Sequence, residues 1–192
     1  MRRAYATDFP RFAYVDETRC DNASVDEASV RQLAALGEVT GRLDAARIDH
    51  WLFGGWAVDF YAGELTRPHD DVDLAVWLAD APRIAELLAR GGWRHAPEEG
   101  EDGGTGYERD GVRLELTFLV RGDDGAVAIP LRSGPAVWPE GTFADDSREL
   151  AGVRAPLIAF GVLADGKAAG RDDPDEAAKD RADFAVLSRL RP

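Results

Sequence analysis

Lysine, cysteine and long apolar runs are what this chain has least of. Only Lys167 and Lys179 are lysines, so nearly all the positive charge sits on arginine. Cys20 is the single cysteine among 192 residues, which excludes an internal disulfide and a cysteine zinc site. No apolar run reaches the roughly 18 residues of a membrane-spanning helix. Met1-Arg2-Arg3 is not followed by the apolar stretch of a secretory signal. A cytoplasmic, reducing location is therefore expected. Basic side chains are also in the minority: 23 Lys and Arg face 36 Asp and Glu, a formal net charge of −13. Such a surface repels nucleic acid and anionic membrane and favours cationic partners. With 45% hydrophobic residues the chain can still bury a core of its own.

The pattern along the chain alternates helices and strands. Residues 1–23 lack periodicity and read as an N-terminal extension. Ser24-Val25-Asp26-Glu27 is a capping box, and a helix is expected from there to about Ala46, with Leu33, Leu36, Val39 or Thr40, and Leu43 on one face. Ile48 to Phe53 reads as a short strand, Gly54-Gly55 as its end, and Trp56 to Gly63 as a short helix. Val72, Leu74, Val76 and Leu78 alternate with Asp71, Asp73, Ala75 and Trp77, the signature of a strand. Pro82 to Arg90 is expected to be a helix, Pro97 to Gly106 a loop, and Tyr107–Arg109 with Val112–Val120 a hairpin turning at Asp110-Gly111. Further on come a strand over 126–129, an irregular stretch over 130–146 holding Trp138 and Phe143, and a strand over 150–154. Helices are expected over 156–164 and 174–190. These elements divide into a core over 24–130 and a mainly helical C-terminal part over 131–192.

Asp-x-Asp means little by itself: with 23 Asp, chance supplies about three such pairs. Asp173 and Asp175 form one where a helix N-terminus accounts for them electrostatically. Asp71 and Asp73 differ in setting. On a strand they point to the same face, about 6–7 Å apart, while Val72, Leu74 and Val76 face the core. The strand over 112–120 repeats the alternation, with Leu114, Leu116 and Phe118 on one side and Glu115 on the other. If the two strands are neighbours, Glu115 joins the pair. Three such carboxylates repel by roughly 3 kcal/mol per pair at about 6 Å, and a divalent cation such as Mg²⁺ relieves this. An EF-hand loop is excluded because Val76 stands where its glycine belongs. Gly54-Gly55, at a strand-to-helix junction, suits close approach of a phosphate to backbone N–H groups. Arg67 and His69 could add phosphate contacts, and Asp59 reads as a structural brace.

Gly-Gly-Trp-Ala-Val-Asp over 54–59, with Arg67, His69, Asp70, Asp71 and Asp73 after it, resembles the antibiotic nucleotidyltransferases of the DNA polymerase beta-like superfamily. The wording is most similar to the aminoglycoside 2''-nucleotidyltransferases, then to the lincosamide enzymes. The resemblance implies an α+β nucleotidyltransferase fold: a small mixed sheet flanked by helices, followed by C-terminal helices. It implies adenylyl transfer, or transfer of another nucleoside monophosphate, from a triphosphate such as ATP to a hydroxyl, with two Mg²⁺. Asp71, Asp73 and Glu115 would hold the metal, with Glu115 also the general base. Gly54, Gly55, Arg67, His69 and Lys179 would bind the nucleotide. Lys179 also reads as a helix-face salt bridge to Asp175 and Asp183, an ambiguity that Asp180 and Asp183 share. The acidic surface suits a cationic aminoglycoside, with 98–102 and Glu108 as candidate contacts. A lincosamide would need apolar lining such as Trp138 and Phe143. A nucleotidyltransferase acting on a protein, as in some antitoxin systems, and a non-catalytic nucleotide-binding module are the remaining readings.

Overall fold

The computed structural model describes residues 27–144 and 146–190, so the N-terminal extension and Ser24 of the expected capping box lie outside the described residues. The elements run α1 (Glu27–Ala45), β1 (His50–Phe53), α2 (Gly54–Ala62), β2 (Val72–Trp77), α3 (Ala81–Arg90), β3 (Arg94–His95), β4 (Gly104–Arg109), β5 (Val112–Arg121), β6 (Val127–Ile129), β7 (Ala136–Val137), β8 (Asp146–Leu150), β9 (Val153–Leu157), α4 (Phe160–Ala169) and α5 (Pro174–Leu190). The class is mixed α+β, as expected. The main sheet has the order β3-β4-β5-β2-β1-β9-β8, and β6 and β7 form a small arm off the end of β5. Among the described residues no helix is long and apolar enough to cross a membrane.

The core follows from the periodicity. Leu36, Val39 and Leu43 of α1 are buried at helical spacing. Alternate residues of β2 and of the first half of β5 are buried on the sheet, with Val72, Leu74 and Val76 beside Leu114 and Leu116, but the alternation expected to reach Phe118 breaks there, Phe118 being half-buried and Leu119 buried. Trp56, 1% exposed, anchors α2 in the same core. Its indole Nε1 donates to Gln32 Oε1 at 3.1 Å, so the one polar atom of the ring is satisfied.

The register of the sheet is what builds the site. β2 runs antiparallel to β1, which sets Phe53 opposite Asp73, and parallel to β5, which sets Asp73 opposite Glu115. Asp110 and Gly111 turn β4 into β5 with φ of 52° and 76°, the paired positive values that a type I′ hairpin requires.

Several expectations need correction. β2 stops at Trp77, and Leu78 opens a 3-10 turn instead of extending the alternation. The expected loop over 97–106 already holds the start of β4 at Gly104. The single strand foreseen over 150–154 is the hairpin β8–β9, turning at Ala151 and Gly152 with φ of 47° and 83°. The helix expected from Pro156 begins only at Phe160. Residues 131–144 and 146–159 therefore run as strands and turns, and the helices of the C-terminal part start after them. Pro156 has no N–H to give a ladder and argues against a strand from sequence. It is tolerated because β1 pairs with β9 only at Leu157.

Candidate active site

A cleft of about 460 Å³ opens where β1, β2 and β5 meet α2, α4 and α5. Gly54, Gly55, Arg67, His69, Asp71, Asp73, Glu115 and Lys179, all the residues expected from sequence to bind metal or nucleotide, line it. One oxygen from each of Asp71, Asp73 and Glu115 lies within 4.8 Å of the other two, the one such convergence among the described residues. Parallel pairing of β2 with β5 supplies the third member. Burial, with the charges of Asp71 and Glu115, pushes the Asp73 carboxyl well above the ordinary carboxylate range. Burial and Glu115 push Asp71 in the same direction. Glu115 has one cation at hand, Arg113, whose Nε donates to Oε1 at 2.8 Å. Three convergent carboxylate oxygens, with Arg113 the one cation bonded to them among the described residues, fit a hard divalent cation such as Mg²⁺ by donor chemistry.

The diglycine is held against this cluster. Gly54 adopts φ 69°, and a Cβ there would overlap Asp73 Oδ2. A Cβ on Gly55 would run into the His69 ring and lie 2.6 Å from Arg67 Nη2. Both positions thus need glycine, because the side chains of Asp73, His69 and Arg67 pack directly on the backbone. The N-cap Phe53 makes no side-chain capping bond, so the first amides of α2 have no side-chain acceptor there.

The loop before β2 is fixed from below. Asp59, fully buried, accepts from Thr66 N at 3.1 Å and from the Thr66 hydroxyl, and pairs with His69 Nε2 at 2.6 Å. Gln32 Nε2 donates to the His69 carbonyl at 2.9 Å. Asp59 is therefore the brace expected, and it holds His69 and Thr66. With Nε2 engaged, His69 offers the cleft only Nδ1.

A wall of alternating charge faces the cleft. Arg67 grips Asp183 through Nε and Nη2 at 2.8 and 2.9 Å. Lys167 bridges Asp183 and Asp180 at 2.8 and 2.9 Å. Arg171 bridges Asp180 and Glu176, and Lys179 bridges Glu176 at 2.7 Å and Asp70 at 2.5 Å. The spacing of Glu176, Lys179, Asp180 and Asp183 puts them on one face of α5. Asp173 starts that helix, accepting from the amides of Asp175 and Glu176 at 3.0 Å. Burial raises the Asp183 carboxyl, but bonds from Arg67 and Lys167 outweigh it and leave the group below its ordinary range. Asp180 is lowered in the same way by Arg171 and Lys167.

Two readings change here. Lys179 pairs with Glu176 and Asp70, not with Asp175 and Asp183, because Asp183 is turned to Arg67 and Lys167. Lys167 and Arg171 were not singled out from sequence, although both line the cleft. The signal for Lys167 was its rarity: both lysines of the chain line this cleft. The acidic loop does not line it. Glu98 and Glu108 pair with Arg113, and Asp102 accepts from the Arg132 amide. The other end of the cleft is apolar, with Phe53, Trp138, Ile158 and Val162. Trp138 meets Phe53 and Phe143 edge-on at 6.1 and 5.5 Å.

Known proteins are similar to this chain in sequence and fold. Over 43 residues the chain is 37% identical to a 2''-aminoglycoside nucleotidyltransferase of Klebsiella pneumoniae, a stretch covering 22% of this chain and 24% of that relative. The chain thus aligns with about a quarter of the curated relative's length. The solved structure of ANT(2")-Ia in complex with adenylyl-2"-tobramycin superposes with a TM-score of 0.67 at 19% identity, covering 83% of this chain and 88% of that one. The lincosamide antibiotic adenylyltransferase LnuA, lincomycin-bound, gives 0.66 at 17% identity, covering 82% and 97%. At these identities the two structures share the fold. The model of the aminoglycoside-2''-adenylyltransferase family matches residues 35–187, most of the chain, and the chain belongs to that family.

Proposed function

We propose that this protein transfers a nucleoside monophosphate, AMP from ATP in the first instance, to a hydroxyl of an aminoglycoside. The observation that carries the reading is the convergence of Asp71, Asp73 and Glu115 beside the diglycine and a wall of four cations in one cleft. Asp71 and Asp73 would hold Mg²⁺, with Glu115 completing the set. Bound there, Mg²⁺ would supply charge stabilisation for phosphoryl-type transfer. Amides at the start of α2 face the phosphates, with Arg67, His69 Nδ1 and Lys179 as further contacts. The Glu115 carboxylate takes the proton of the acceptor hydroxyl as its oxygen bonds to the α-phosphorus and pyrophosphate leaves. The core over 24–130 carries the metal ligands and Arg67, and the C-terminal part over 131–192 supplies the other three cations of the wall, Lys167, Arg171 and Lys179. ATP chemistry of this kind suits the cytoplasm.

A lincosamide acceptor is the second reading, favoured by Phe53 and Trp138 at the apolar end of the cleft and by the engagement of the acidic loop elsewhere. The test is direct. Protein, Mg²⁺ and each nucleoside triphosphate are incubated with panels of aminoglycosides and lincosamides, and products are weighed by mass spectrometry. A nucleotidyl adduct on an aminoglycoside is expected. Adducts on lincosamides alone would select the second reading, and none on either class would refute both.

A further inference from the structure

The cationic wall is already occupied by its own anions. Arg67, Lys167, Arg171 and Lys179 are each held by Asp70, Glu176, Asp180 or Asp183, four against four, so the resting wall offers a triphosphate little free positive charge. For a phosphate to be bound, an anion has to let go. The anions are not equal in this respect. The side chains of Asp180 and Asp183 are 4% and 1% exposed, and releasing either would strand a buried charge. The Asp70 side chain is 75% exposed, so water takes over its solvation at little cost. Asp70 also lies off α5, next to Asp71, and is the one anion of the wall carried by the loop that leads into the metal strand.

Resting on the triphosphate reading above, we propose that Asp70 is a removable placeholder: it holds Lys179 until a nucleoside triphosphate binds and then yields it to the phosphates. Lys179 thereby changes from a strap between α5 and the loop before β2 into a phosphate ligand. Glu176 keeps its ammonium group in place during the exchange. Asp70 is then a positioning residue that weakens nucleotide binding, the opposite of what a merely structural salt bridge would do.

The experiment measures ATP binding by calorimetry at low salt with EDTA present, so that metal ligation does not contribute. It compares wild type, D70N, K179Q and the double variant, with thermal melts as a check of folding. D70N is expected to bind ATP roughly three- to ten-fold more tightly, since a competing anion is lost. K179Q should bind more weakly, and the double variant should match K179Q. D70N binding no tighter than wild type would overturn the proposal. So would a gain that persists in the double variant, because it would then be a general charge effect. If wild type binds no nucleoside triphosphate with or without Mg²⁺, the triphosphate reading itself falls. Wild-type binding that D70N leaves unchanged overturns the placeholder alone.

Discussion

Two sets of carboxylates, one buried on α5 and one half-buried on the sheet, face each other in this molecule, and they are treated oppositely. On α5, Asp180 and Asp183 are wrapped by Lys167, Arg171 and Arg67, and their carboxyls sit below the ordinary range. On the sheet, Asp71 and Asp73 have neither a cation nor a hydrogen-bond donor of comparable strength, and sit above it. Both sets are acidic, and a charge count does not separate them. What separates them is whether the fold supplies the counter-charge. Where it does, the carboxylates fasten a helix to a loop. Where it does not, the fold has left a deficit that a ligand can fill, and perturbed groups of this kind mark functional sites.

The largest effect expected on this contrast is from Asp73→Asn. Transfer activity should fall by about 10³-fold or more, since the proposed function gives this charge the metal to hold. The metal-free protein should melt higher at neutral pH. The sign follows from linkage: with its carboxyl raised in the fold, Asp73 holds a proton that the unfolded chain has already lost. Stability therefore falls as pH rises from the unfolded value, about 3.9, through the folded one. The variant lacks that penalty. A melting temperature below wild type would show that Asp73 is compensated after all.

Asp183→Asn is the counterpart. It leaves Arg67 and Lys167 without their shared partner, at side-chain exposures of 20% and 10%, and should cost about 3–5 kcal/mol in denaturant unfolding. The pH sign is reversed. With its carboxyl lowered in the fold, Asp183 contributes stability above the unfolded value that is lost as pH falls through the folded one. A cost within about 0.5 kcal/mol would mean the wall is no more than a surface pairing.

Divalent cation gives the next test. Mg²⁺ or Mn²⁺ should raise the melting temperature of wild type and of Asp183→Asn but not of Asp73→Asn. The rise should fade as pH drops through the raised carboxyl range, where protons compete for the same oxygens. A cation response independent of pH would place the metal elsewhere.

The sheet half of this contrast was legible in the sequence, and the helix half was not. Period-two alternation put Asp71 and Asp73 on one face, and the same alternation offered Glu115, needing only that β2 and β5 be neighbours. The diglycine could be read from its junction, though not the reason it must be glycine, which lies in Asp73, His69 and Arg67 packing on it. Arg67 meets Asp183 across 116 residues of chain, and no local pattern announces such a pair. Pro156 and the missing helical start before Phe160 failed for a related reason. A proline's effect depends on which neighbour the strand is asked to pair with, and that is decided by topology.

The smallest effect tests whether the sheet deficit is complete. Among the described residues Arg113 is the one cation touching the triad, through Glu115 at 2.8 Å, and it also pairs with Glu98 and Glu108, which do not line the cleft. If it competes with metal for Glu115, Arg113→Gln should bind Mn²⁺ about two- to five-fold more tightly, the value of a partly exposed ion pair. The melting temperature should barely move, because Glu98 and Glu108 regain water. If instead Arg113 aims Glu115 at the other two carboxylates, the same change should weaken Mn²⁺ binding and slow transfer together. Titration of Mn²⁺ against the variant distinguishes the two by sign. Tighter binding would mean that the triad is set by strand register alone, and weaker binding that its third member depends on a borrowed charge.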